Sequence, residues 1–413
     1  MSEGHATFRE AALHVVETNA GKDMNYSMIN KGFKLHDTLL PAYYDSTAPP
    51  QTLPCQLPWL LLPPPTTSIT PYTNLTVTDT DPRHTFYNFL TNKLHTLSLP
   101  ESSYPRRILG SCHGNLILTT GTPEVFCLNP LSKSKVFLPP LSALPGVVSF
   151  RFSNVGREYL IQDQLTGQIY PLELKQMRDD FIRKLVLSSP PSNGSPSFAF
   201  GITTSFLYKT TELVFCNTSE DHWMWVPVSN FTAEDVIYNE SKGLFYAVNH
   251  VGDVGSFRVG VEGVCDITIW QSVSLIPCDL RYLVLFNGEL MLLTRCLETE
   301  VDIRTYCELY RTVGFEVYRF CEFEPGCVCW EPVRSLGDGV VFVGESASLA
   351  LSASDFPGCK ANCVYFTDDH CNSNDVGVFD LEEKCICSLP CFPDDESLPL
   401  YWGSPIWITP NPH

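Results

Sequence analysis

From about Asn74 onward the chain reads as short apolar runs separated by turn residues. The runs fall into groups that each take roughly 40 to 55 residues. Thr85–Leu90 and Leu94–Leu99 flank Thr91-Asn92-Lys93 as a hairpin. Arg107–Leu109, Asn115–Thr119, Glu124–Leu128 and Lys135–Leu138 form the next group, and Val147–Phe152, Glu158–Gln162 and Gln168–Leu172 another. Ser197–Thr203, Phe206–Tyr208, Leu213–Phe215 and Met224–Val228 repeat the order, as do Val236–Tyr238, Leu244–Val248, Val254–Val259 and Thr268–Trp270. Tyr282–Phe286, Glu289–Arg295, Gly314–Phe320 and Val328–Val333 lead into a last unit, Val340 to Pro390. There, Ser348–Ser352 and Cys363–Thr367 alternate with strand periodicity on either side of Asp355-Phe356-Pro357-Gly358, and Val376–Leu381 and Ile386–Leu389 follow. This unit is expected to be one antiparallel meander.

A four-stranded unit of this size cannot bury both faces alone, and stacking such units around an axis solves that problem. The predicted fold is all-β, a β-propeller of six or seven blades. A β-sandwich is the rival, but it usually stops well short of so many strands. One amphipathic stretch, Leu174–Leu185, reads as a helix crossing between blades. The sequence divides into an N-terminal segment at 1–49, a Pro-rich arm at 50–72 and the propeller at 73–413. The N-terminal segment is weakly organised, short and helical or extended, with one helix candidate at Phe8–Glu17. Nine prolines between Pro41 and Pro71 forbid a helix or a central strand running through. Leu57, Trp59, Leu60, Leu61 and Leu62 nevertheless favour docking of residues 50–65 on the body, because so many large apolar groups are seldom left in water.

Composition narrows the partners. With 44% hydrophobic and 18% charged residues the chain is a folded one, and a net charge of −19 repels phosphate backbones and anionic membranes. No nucleic acid or membrane partner is expected. The N-terminus shows no apolar core of signal length, and the tract Leu53–Pro65 is broken by Gln56 and five prolines. An intracellular location, cytoplasm or nucleus, follows, and with it the reading of all 17 cysteines as reduced thiols.

Three patterns invite a chemical reading. Gly110-Ser-Cys112-His113-Gly114 has the form of a nucleophile elbow, but a strand rather than a helix follows it, so a blade hairpin is expected. Ser132-Lys-Ser-Lys135 matches S-x-x-K without the helix that would aim Lys at Ser. Cys359, Cys363, His370 and Cys371 are soft metal ligands within 13 residues, the weak candidates for a zinc site in a chain for which no metal or other cofactor is expected. Cys327-Val-Cys329 and Cys385-Ile-Cys387 each put two thiols on one strand face, where core packing is expected. No phosphate-binding glycine loop, H-E-x-x-H or EF-hand pattern occurs, so no catalytic residue is assigned.

Asp235–Asn249, Thr312–Phe320, Ser335-Leu-Gly-Asp338, Leu351–Asp369, Asp375–Leu381 and Pro405–Pro412 resemble the plant F-box-associated KIB-type propeller family, also called domain of unknown function 295, over about residues 50–412. The resemblance implies a propeller that binds a protein client. Many relatives carry an N-terminal F-box, which docks on a Skp-type adaptor of a cullin ubiquitin ligase while the propeller presents the substrate. An F-box opens on a Leu-Pro-x-Asp/Glu-like signal and has three helices, whereas residues 1–40 hold no Pro and one helix candidate. The expectation is a substrate-receptor-like module without its own F-box, not an enzyme, binding a client but not the adaptor. The alternatives are a propeller enzyme or carbohydrate-binding protein with an axial site, or an inactive truncated copy.

Overall fold

The computed structural model describes residues 57–62, 83–89, 91–99, 106–164, 166–191, 197–260, 263–301, 308–356, 358–368, 375–389, 391 and 405–409. All belong to one compact unit, Cys55–His413. The helix candidate Phe8–Glu17 and the rest of the 1–49 segment lie outside the described residues.

The described chain forms a β-propeller of six blades. Their innermost strands are neighbours in ring order: Ile406–Ile408, Arg106–Cys112, Ile182–Leu187, Ala233–Asn239, Leu280–Phe286 and the pair Gly339–Val343 and Leu349–Ser352. The ring closes where the Trp407 indole N–H donates to the Val343 carbonyl at 3.0 Å. The first blade is built from both ends of the described chain, with Ile406–Ile408 inside, then Trp59–Leu62, Arg83–Asn88 and Lys93–Ser98. The second and third blades are antiparallel sheets of four strands each. The fourth and fifth are joined at their rims by a parallel contact, Gln271 opposite Cys327 and Ser272 opposite Val328, which makes one eight-stranded sheet.

Each joint between neighbouring blades is an apolar cluster, because both faces of an inner blade strand are covered. Leu61, Phe86, Leu118, Phe126 and Ile408 fill the joint of the first and second blades. Phe200, Phe245 and Phe257 stack between the third and fourth. Val248, Leu283, Leu292 and Trp330 join the fourth and fifth. At roughly 1.5–3 kcal/mol for each fully buried large side chain, these joints hold the ring together.

Five expectations about the strands need correction, the shortest being Phe206–Tyr208, which is a turn between Phe198–Thr204 and Thr211–Asn217 rather than a strand. The docking expected of residues 50–65 holds for 57–62, where Leu57, Leu60 and Leu61 are buried, but Trp59–Leu62 is a central strand of the first blade, which the prolines were expected to forbid. Pro58 stands just before the strand, so its missing N–H is not needed in the ladder. Within Leu174–Leu185, helix runs only over Leu174–Gln176 and, as a π-turn, Met177–Phe181, while Ile182–Leu187 is the innermost strand of the third blade. Strand content here follows from a site buried against two neighbours, which overrides local propensity.

The last unit is not a simple meander. Gly339–Val343 lies between Leu349–Ser352, its antiparallel neighbour, and Cys363–Phe366, which runs parallel to it. Apolar alternation sets which face of a strand is buried but not which strand lies beside it. Finally, Val147–Phe150, Tyr159–Gln162 and Ile169–Leu172 form a three-stranded sheet outside the ring, since the inner strands of the second and third blades touch directly. This extra sheet leans on the third blade, where Asp163, just past the strand Tyr159–Gln162, accepts from the Ser205 hydroxyl at 2.7 Å, and the turn leading into the sheet is held there too, the Trp223 backbone N–H donating to the Ala143 carbonyl at 3.2 Å.

Candidate functional site at the inner strands

Propellers place their recognition surfaces at the ends of the inner strands, on loops held by a rigid ring. At the end where these strands begin, a chain of charges passes from blade to blade. Arg107 of the second blade donates to the carbonyl oxygens of Asp179 and, at 3.3 Å, Ile182, and its guanidinium lies 3.6 Å from Glu345 of the sixth blade. Lys184 of the third blade pairs with Asp235 of the fourth, both buried. The second oxygen of Asp235 accepts the Leu283 N–H of the fifth blade at 2.6 Å, so one carboxylate ties three blades. Arg281 of the fifth returns to Glu234 of the fourth at 3.0 Å and to the Ile276 carbonyl at 2.7 Å. Glu234, Asp235 and Glu345 therefore each face a cation on another blade. Charges matched this way lock the blades in register, whereas a general acid or base needs a carboxyl free to exchange a proton with substrate.

The middle of the ring is crossed by the sixth-blade segment from Gly344 to Ser348. Ser346 donates its hydroxyl to the Trp407 carbonyl at 2.9 Å, and Ser111 does the same from the second blade. Gly110 is required here, because a Cβ at that position would meet the Glu345 carbonyl oxygen and the Ser346 Cα at 3.1 Å. Ala347 packs on the core shared by the second to fourth blades, Ala350 on that of the fifth and sixth, and Leu349 and Leu351 on that of the sixth and first. The segment from Gly344 into Ser348–Ser352 thus meets cores on several sides of the ring.

At the other end of the inner strands lies Gly110-Ser-Cys112-His113-Gly114. It is a hairpin turn with positive φ at His113 and Gly114, 49° and 76°, between Arg106–Cys112 and Asn115–Thr120. Its side chains latch onto the third blade: Leu187 N–H donates to the Cys112 sulphur at 3.4 Å, and His113 Nε2 lies 3.0 Å from the Leu187 carbonyl. Burial pulls the His113 imidazole down, but the neighbouring Cys112 sulphur, the Leu187 carbonyl and Glu240 outweigh it and raise the group to about 9.

The other sequence candidates are scattered. Ser132 bonds Ser134 at 3.0 Å, while the Lys135 ammonium sits 3.8 Å over the Phe126 ring, so the S-x-x-K residues are not brought together. Cys363 is buried and Cys359 packs beside it in the core of the sixth and first blades, and burial pushes both thiols up to about 11. A metal would need both as thiolates. His370 and Cys371 lie outside the described residues, and among the described residues no three His, Cys, Asp or Glu side chains are grouped to share a metal ion. Cys327 and Cys329 are half-buried, but Cys385 and Cys387 are exposed rather than packed in a core, because Cys385–Cys387 is the outermost strand of its sheet. Among the described residues no helix is long and apolar enough to cross a membrane.

Sequence reasoning missed the blade-to-blade charges. The available signal was a charged residue at the start of otherwise apolar runs, as in Ile182-Arg-Lys184-Leu185 and Glu234-Asp-Val236.

The sequence profile of the KIB1-4 β-propeller family matches residues 86–380. An F-box protein of Arabidopsis thaliana is 24% identical over 233 residues, covering 52% of this chain and 66% of the relative. The Arabidopsis F-box protein SKIP23 is 32% identical over 152 residues, 32% of this chain and 36% of its own length. The matches thus span between about a third and two thirds of these two relatives. Among solved structures, TolB from Acinetobacter baumannii superposes with a TM-score of 0.38 at 11% identity, over 86% of this chain and 67% of that one, a likeness that adds nothing to the assignment. The blades, their order and the profile match over most of them agree: this chain belongs to the KIB1-4 β-propeller family.

Proposed function

We propose that this chain is a protein-binding propeller, a substrate-receptor-like module related to the F-box proteins of cullin-type ubiquitin ligases. Membership of a family whose Arabidopsis relatives are F-box proteins carries this reading. It is supported by the inner strands, whose carboxylates Glu234, Asp235 and Glu345 are committed to holding blades together, leaving recognition to exposed loops. The role is non-catalytic. Residues 1–40 carry no F-box-like opening signal, and on this proposal they do not themselves dock a Skp-type adaptor. By mass action the chain would then shield clients that F-box relatives deliver for ubiquitylation.

Cross-linking of the tagged chain in plant cells, followed by quantitative mass spectrometry, tests the binding half. A discrete set of proteins, retained by purified chain in direct binding, is expected; retention of none overturns the reading. Co-expression with a Skp-type adaptor, with an F-box relative as positive control, tests the other half. Recovery of the adaptor at the control's yield would place the chain in a ligase.

A further inference from the structure

The loop that opens the three-stranded sheet outside the ring, from Arg151 to Arg157, is tightly built and yet turns its apolar side chains outward. Arg151 N–H donates to the Glu158 carbonyl at 2.8 Å, Asn154 N–H to the Arg151 carbonyl at 3.1 Å and Arg157 N–H to the Asn154 carbonyl at 2.8 Å. The carboxylate of Glu158, a residue only 6% exposed, accepts the Gly156 N–H at 2.9 Å and the Leu174 N–H at 3.1 Å, which pins the loop to the body. On this frame Val155 is 86% exposed and Phe152 54%, with the Phe152 ring braced edge-on against Phe150 at 4.6 Å. Val155 adds nothing to any core cluster. Arg151 and Arg157 flank the pair, both exposed, and among the described residues neither guanidinium forms an ion pair. From Val147 to Arg157 there is no carboxylate, in a chain whose net charge is −19.

We propose that this tip is a docking knob for an acidic protein segment, in which Phe152 and Val155 enter an apolar depression and Arg151 and Arg157 meet carboxylates beside it. The inference rests on the protein-binding reading above and adds where the partner sits and what chemistry it carries. Charge complementarity selects the occupant: a basic point on an acidic body orients an acidic partner and repels the rest of its surface. Aromatic and Arg side chains dominate binding energy when desolvated together, and a loop already held by hydrogen bonds loses little freedom on docking.

The probe is a random peptide display library selected against the whole chain. Enriched peptides are expected to carry Asp or Glu around a Leu, Ile or Phe. A representative peptide should lose about tenfold or more in affinity with Val155→Ser, and again with the pair Arg151→Glu and Arg157→Glu, at unchanged unfolding midpoint. Its binding to the unmodified chain should weaken as salt rises. Peptides that bind both variants as well as the unmodified chain overturn the knob and leave protein binding standing, whereas failure to enrich any peptide counts against both. A knob variant that changes only self-association in sedimentation, or only binding to vesicles of phosphatidylserine and phosphatidylcholine, reassigns the tip to a second copy or to a membrane and overturns the proposal.

Discussion

The sixth blade is joined to its two neighbours by different means. Toward the fifth, the apolar cluster of Tyr282, Leu293, Phe315, Val341 and Phe366 is crossed by Arg295, which is 1% exposed. Its guanidinium donates to Thr312 Oγ1 at 2.7 Å, Tyr282 OH at 3.1 Å, the Thr367 carbonyl at 2.9 Å and Asp375 Oδ2 at 2.9 Å, and lies 4.9 Å over the Phe366 ring. Toward the first blade the joint is aromatic. Phe342, Tyr365, Phe89 and Trp407 meet edge-on, tilted or stacked at 5.0–6.5 Å, with the Trp407 N–H bond to the Val343 carbonyl as a polar tie between the blades. A buried guanidinium tolerates one geometry, because any displacement strands a desolvated charge. A ring cluster gains area in several geometries and suits the seam where two distant parts of the chain must find each other.

The sharpest break is Arg295→Met. It leaves Asp375 beside an apolar joint without its cation, and a loss of about 3–5 kcal/mol in urea unfolding is expected. Adding Asp375→Leu should restore part of this but not all, since Thr312 N–H, which donates to Asp375 at 2.8 Å, then loses its acceptor. Full recovery would show that the ionic joint does no more than packing. Trp407→Phe, at the aromatic joint, should cost less, about 1–3 kcal/mol by the same measurement, through one lost hydrogen bond and a smaller ring. A cost above that of Arg295→Met would invert the comparison.

A third joint, between the second and third blades, carries the His113 latch and adds pH dependence. The imidazolium is held in the folded state above its ordinary 6.5, up to about 9. Its contribution is complete below pH 6.5 and lost as pH climbs through about 9. Stability should fall across that window by about 1–2 kcal/mol more in the unmodified chain than in His113→Gln. Parallel curves would remove the latch. The smallest effect is expected where the extra sheet meets the third blade. Burial, then the nearby Asp163, raises the half-buried Glu212 from 4.5 to about 7, against a bond from the Gln164 N–H. The folded state therefore loses stability as pH rises from 4.5 to about 7, and Glu212→Gln should gain about 1 kcal/mol at pH 8 and nothing at pH 4.

Much of the candidate site was legible as strands and little of it as contacts. The elbow-like Gly110–Gly114 was readable as a hairpin because Asn115–Thr119 alternates like a strand. That His113 reaches Leu187, 74 residues on, was not readable, since it depends on which blade lies next. Cys385 and Cys387 share a strand face as expected, but whether that face is covered depended on the end of the sheet where the strand lies. The outward tip at Phe152 and Val155 was hidden because Val147–Phe152 alternates as a blade strand would.

Local pattern carried the all-β class, the strands of several blades and the turns, because alternation and turn chemistry act over a few residues at a time, while the family was legible only as a resemblance of motifs such as Leu351–Asp369. It also carried the acidic balance that sets which partners are repelled. Folding in space chose which strands became innermost, placed Gly339–Val343 beside Cys363–Phe366, put Trp59–Leu62 next to Ile406–Ile408 and left residues 147–172 outside the ring. Those choices rest on pairings between residues tens to hundreds apart, and their energies come from burial and matched charges that exist only once the ring has closed.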